Sequence, residues 1–135
     1  MQNLQNTHDD MLKLVAAHER QSALDTPNIL ELTRLRVEMM KVHRLRLEHL
    51  ERIALKGDQL STDMREQLAQ FRREDIEMTA FVSRHLREWP QDRIVREWNV
   101  YREAAAYNHS WQRARVAREE AAFGLRPKRT DSSTH

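Results

Sequence analysis

Seven histidines and no cysteine bound the chemistry open to this chain. Six of the histidines fall in segments that read as helices, at least one on each, and several sit on or beside apolar stripes. Laid out at about 100° and 1.5 Å per residue, with successive helices reversed, His8, His43 and Asp75 reach one height, and Asn108 and His109 lie slightly displaced. Imidazoles and a carboxylate contributed by several helices are the general form of a metal site in a helical interior. The candidate ligand set is His8, His43, Asp75 and His109. The plainer reading is that each is a core or boundary side chain satisfied by a neighbour. An inward Asp75 requires a partner, for which His43 is the candidate; at the edge of its stripe it would pair with Arg72, one turn earlier. His18 and His85 share a second height, where a histidine pair could titrate, or they stand at helix boundaries.

Other chemistries are excluded by composition. Without cysteine there is no disulfide, thiolate metal site or sulfur nucleophile. Two glycines cannot build phosphate-cradling loops, and no nucleophile elbow is present. Of the 23 basic residues most are arginine, yet acids and bases alternate and the net charge is only +2, so nucleic acid is not an expected partner.

The elements that position these residues follow from punctuation at Asp25-Thr26-Pro27, Lys56-Gly57-Asp58 and Trp89-Pro90. A first helix is predicted from about Asn3 to Ala23, with Leu4, Met11, Leu14, Val15 and His18 along one stripe. The second opens with Thr26 as N-cap and Pro27 in the first turn, and runs to Lys56, where Gly57 suits a left-handed end. The third starts at Ser61 or Thr62 and stops at Trp89 because Pro90 follows; Met64, Leu68, Phe71, Met78, Val82, Leu86 and Trp89 form its inner face. The fourth is one helix from Gln91 to Phe123, striped by Ile94, Trp98, Tyr101, Ala105, Val116 and Phe123, with Gly124 and Pro127 ending it. Short connections between long helices give an all-α, antiparallel up-down-up-down four-helix bundle over residues 1–124. Residues 125–135 have little to bury and are expected to form a disordered tail. The N-terminus lacks a basic region followed by an apolar one, and no apolar run reaches membrane length, so a cytoplasmic protein without a membrane partner is expected.

The four-helix plan, His8 near the start of the first helix, and the segments Trp89-Pro90, Arg93-Ile94, Trp98, Tyr101-Arg102 and Val116-Ala117-Arg118-Glu119-Glu120 resemble the hemerythrin-like (HHE cation-binding) family across roughly residues 4–123. The resemblance implies a non-haem di-iron centre held by His and carboxylates from all four helices, with His8 at the first ligand position. The family's second-helix His followed four residues on by Glu is broken, because Leu47 follows His43 and Ile53 follows His49. Arg115 stands where the fourth-helix His belongs, and the third helix lacks the His pair around Asp75 and Ile76. Separately, Ile53-Ala54-Leu55-Lys56-Gly57 is similar to the histidine phosphotransfer motif, with Ile53 in place of its His.

Two functions follow. In the first, a degenerate hemerythrin-like bundle without cofactor is a non-enzymatic regulatory or protein-interaction module, with a protein partner or homodimer meeting apolar residues off the core stripes: Leu30, Val37, Leu45 and Leu55 on the second helix, Val100, Tyr107 and Trp111 on the fourth. In the alternative, His8, His43, Asp75 and His109 bind iron or another metal in an oxygen or redox sensor.

Overall fold

The computed structural model describes residues 2–125, and every regular element among them is helical. Five α-helices follow in order: α1 (Gln2–Ser22), α2 (Ile29–Ala54), α3 (Thr62–Glu88), α4 (Gln91–Arg96) and α5 (Trp98–Phe123), with a 3-10 turn at Gly57–Gln59 between α2 and α3. Residues 126–135, which hold almost all of the segment expected to be disordered, lie outside the described residues. Among the described residues no helix is long and apolar enough to cross a membrane.

Local chemistry sets most helix ends. Ser61 accepts from the Met64 backbone N–H at 3.1 Å and so satisfies one of the donors that the first turn of α3 leaves open. The second helix starts later than its sequence suggests: Asn28, not Thr26, is the N-cap, accepting from Glu31 N at 3.2 Å, and Pro27 precedes the helix. Gly124 closes α5 in the left-handed region at φ 65°, where a Cβ would be strained. The predicted single helix over Gln91–Phe123 is broken at Glu97, whose φ of −123° and ψ of 49° leave the helical region. Immediately after the break, the Trp98 indole donates to the Leu24 carbonyl at 3.0 Å, tying the start of α5 to the beginning of the α1–α2 connection.

α1 packs against α2 and α5, and α3 packs against the same two helices. Their buried apolar residues form three clusters. One joins Leu32, Trp89, Ile94, Trp98, Tyr101 and Ala105; another Leu4, Leu50, Ile53 and Leu68; the third Met11, Val15, Met39 and Val42. Each fully buried aliphatic side chain contributes roughly 1.5–3 kcal/mol of transfer free energy. The core is divided because polar side chains share its buried positions. On α5 the inward face begins as Trp98, Tyr101 and Ala105, then turns into His109, Gln112, Arg115 and Glu119, all buried.

Candidate functional site

The centre of this polar interior is a pair of guanidiniums. Arg46 lies on the buried face of α2, at a helical spacing otherwise filled by Leu32, Leu35, Met39, Val42, Leu50 and Ile53. Arg115 enters from α5, and the two arginines are 2 % and 1 % exposed. Both reach Asp75 of α3. Arg115 binds it with two contacts, Nη1 to Oδ1 at 2.9 Å and Nη2 to Oδ2 at 3.0 Å, while Arg46 Nη2 donates to Oδ1 at 3.4 Å. Arg115 Nη2 also donates to the Phe71 carbonyl at 3.3 Å.

Glu119, one turn beyond Arg115, is the second anion. Its Oε2 stands 2.5 Å from Arg115 Nε and 3.7 Å from Arg46 Nε, and its Oε1 accepts from His8 Nε2 at 2.8 Å. Gln5 donates to Glu120 at 3.0 Å beside it. The faces of the guanidiniums are covered by rings: Phe71 lies 4.4 Å from the Arg115 carbon, and Trp111 lies 5.5 Å from Arg115 and 5.7 Å from Arg46. Such stacking suits the weakly hydrated arginine head.

Two cations and two anions therefore balance one another away from water, the condition under which buried charge is tolerable. Burial acts to raise the Glu119 carboxyl, but the His8 hydrogen bond and both arginines outweigh it and leave the group below its ordinary range. At Asp75 burial prevails and the carboxyl is pushed up against the pull of Arg46 and Arg115.

His43 borders the cluster. Arg46 Nη2 lies 2.9 Å from His43 Nδ1, and arginine can only donate, so Nδ1 is the acceptor and the proton of the neutral ring is on Nε2. Burial, with Arg46 and Arg115 nearby, lowers its pKa to about 4 and keeps the ring neutral. Arg46 Nη1 also donates to Gln112 Oε1 at 3.3 Å.

A second polar group lies beyond Gln112. His18 Nδ1 is 2.7 Å from His109 Nε2, and His18 Nε2 is 3.0 Å from the Tyr101 hydroxyl. Burial, followed by the influence of His109, Arg36 and His85, lowers His18 to about 3. Burial lowers His109 as well. This neutral Tyr-His-His chain has two hydrogen-bond polarities, with the tyrosine proton directed either toward or away from His18.

Only part of the candidate set meets. His8 and Asp75 join one network through Glu119 and the arginines, His43 touches its edge through Arg46, and His109 belongs to the separate Tyr-His-His chain. Asp75 pairs with neither expected partner: Arg46 and Arg115 hold it, while Arg72 binds Glu51 at 3.1 Å. His18 bonds His109 rather than His85, whose ring lies over Tyr101 at 6.0 Å. Trp111, read as a surface residue, is partly buried over the guanidiniums. Among the described residues no group of three or more His, Asp or Glu is placed to hold a metal ion. The residues present do not fit the di-iron centre that the hemerythrin-like resemblance implies, because positive guanidiniums already fill the contacts of Asp75 and Glu119.

Arg46 and Gln112 are residues that sequence reasoning missed, and Glu119, noted only within the segment that carries the resemblance, was not paired with His8 and the arginines. Their signal was positional, since each occupies a step of a buried helical stripe. No protein-family model, curated protein or solved structure matches this chain.

Proposed function

We propose that this chain is a non-enzymatic, hemerythrin-like regulatory or protein-interaction module in which Arg46 and Arg115 supply the interior positive charge that a dinuclear metal centre would otherwise bring. The observation that carries this reading is the two-pronged contact of Arg115 with Asp75, made from the position where the family resemblance expects a histidine ligand. A metal cation placed among the same carboxylates would be repelled by both guanidiniums and would unbalance a neutral cluster.

The architecture in this proposal is an antiparallel up-down-up-down bundle of α1, α2, α3 and the α4–α5 unit, in a cytoplasmic protein. Its support is the order of the cross-helix pairs. His8 meets Glu119 whereas His18 meets His109, and Arg46 meets Asp75 whereas Arg36 meets the Trp89 carbonyl. Between α3 and α5, Glu74 meets Arg118 and Phe81 meets Tyr107. In each case the partner number falls as the first number rises. An interaction surface is supported by α2, where Leu30, Val37 and Leu45 recur about every second turn and stay exposed, Leu30 at 84 %.

Elemental analysis of the purified protein, paired with thermal melts in the presence and absence of a chelator, tests the ionic-core reading. It expects metal-free protein with one melt unaffected by chelation. Stoichiometric iron, manganese or zinc would restore the sensor reading with His8, His43, Asp75 and His109.

A further inference from the structure

A cavity of about 210 Å³ runs between α1, α2, α3 and α5, beside the ionic cluster. For scale, an apolar cavity of about 150 Å³ in a protein interior accommodates benzene. Its walls are mainly apolar, with Met11, Met39, Met40, Leu47, Val82 and Leu86 among them. Methionine is flexible and polarisable, and a wall rich in it adapts to ligand shape.

The polar part of the lining has one sign. Arg36 and Arg44 line the cavity and no Asp or Glu does. The four lining histidines, His18, His43, His85 and His109, all have lowered pKa values, with burial the largest cause at each. His18 and His109 satisfy each other, and Tyr101 completes that chain. His43 is different. Its Nδ1 is occupied by Arg46, so its Nε2 carries a proton, and that buried N–H has no hydrogen-bond partner. A buried donor left unmatched is unfavourable and is relieved by an acceptor.

We propose that this cavity is a binding site for a small monocarboxylate with an apolar body, a single ring or a short alkyl chain. The body fills the methionine-lined volume, and the carboxylate takes the end where His43 donates and the arginines supply positive potential. A neutral alcohol of the same length would gain the apolar contacts without the charge complementarity, and an alkylammonium would meet two arginines and no carboxylate. Occupancy would also be felt by the ionic cluster, because His43 and Gln112 line the cavity and both bond Arg46.

The test uses the full chain labelled at its methionine methyl groups and titrated at neutral pH with octanoate, octan-1-ol and octylammonium. Three of the six methionines, Met11, Met39 and Met40, line the cavity, and Met64 and Met78 serve as internal controls. Octanoate is expected to shift the three cavity methyls saturably, with octan-1-ol weaker by about tenfold or more and octylammonium without effect. Arg36→Gln should weaken octanoate by about tenfold and leave octan-1-ol unchanged; His43→Phe, which keeps a ring but removes the donor, should do the same. Cavity methyls that do not move with octanoate, equal shifts at Met64 and Met78, or equal affinity for octylammonium would overturn the proposal. Should one variant fail to fold, the other and the three-ligand comparison on the parent chain still decide the matter.

Discussion

Arg115 grips both oxygens of Asp75 across the α3–α5 interface, at 2.9 and 3.0 Å, with each side chain almost wholly withdrawn from water. Neither charge is tolerable there alone. The pair is a structural commitment of the fold, and its removal from one side is more damaging than its replacement from both.

Arg115→Met should accordingly destabilise the protein by about 3–5 kcal/mol, because Asp75 and Glu119 lose the nearer of the two cations they share. Adding Asp75→Asn to that variant should recover part of the loss, and Arg115→Lys should not match the parent, since an ammonium cannot make the parallel two-pronged contact. The midpoints of urea unfolding read all three. An Arg115→Met protein as stable as the parent would show that the cluster is not a closed charge balance.

Tyr101→Phe keeps the ring against Trp89 and Trp98 but removes the hydroxyl that meets His18. One imidazole nitrogen is then left buried without its partner, and a loss of about 1–3 kcal/mol is expected. In a double-mutant cycle with His18→Leu the effects should fall well short of additive. Strict additivity would mean that the hydrogen bond carries no coupling.

Acid should unfold the chain early. His18 and His43 have folded values lowered to about 3 and about 4 from an ordinary 6.5. Their contribution is complete above pH 6.5; as the pH falls toward 4 the unfolded chain takes up protons that the folded one refuses, so stability drops by roughly 1 kcal/mol per pH unit for each ring. Glu119, held low, adds a loss of the same sign at more acidic pH, and Asp75, held high, opposes it. Unfolding midpoints measured from pH 7 to pH 4 should fall steadily, and His43→Gln should flatten the slope. A level profile across that range would contradict neutral buried imidazoles.

The exposed row Leu30, Val37 and Leu45 on α2 predicts self-association at micromolar concentration. Light scattering after size exclusion should give a dimer for the parent and a monomer for Val37→Glu combined with Leu45→Glu. Parent protein that stays monomeric would remove this surface from the functional reading.

Helix identity, the start of α3 at Ser61 or Thr62, the stop before Pro90 and the inner faces of α1 and α3 were legible in the sequence because they depend on interactions within a few residues of one another. The resemblance also marked Arg115 as standing in a ligand position. The partners of the polar residues were not legible. In helices crowded with arginine and glutamate, nothing in the sequence singled out Arg46, and Glu119 stood out only within the segment that carries the resemblance, although both hold core steps of their stripes. Whether such a residue is buried depends on which opposite charge a distant helix brings to the same height. That distance is set only when α1, α2, α3 and α5 pack, and there the tertiary structure joined His8 to Glu119, Asp75 to the arginines and His109 to His18. Coulomb energy and desolvation act through space, and the order of residues along the chain encodes them only after the helices have met.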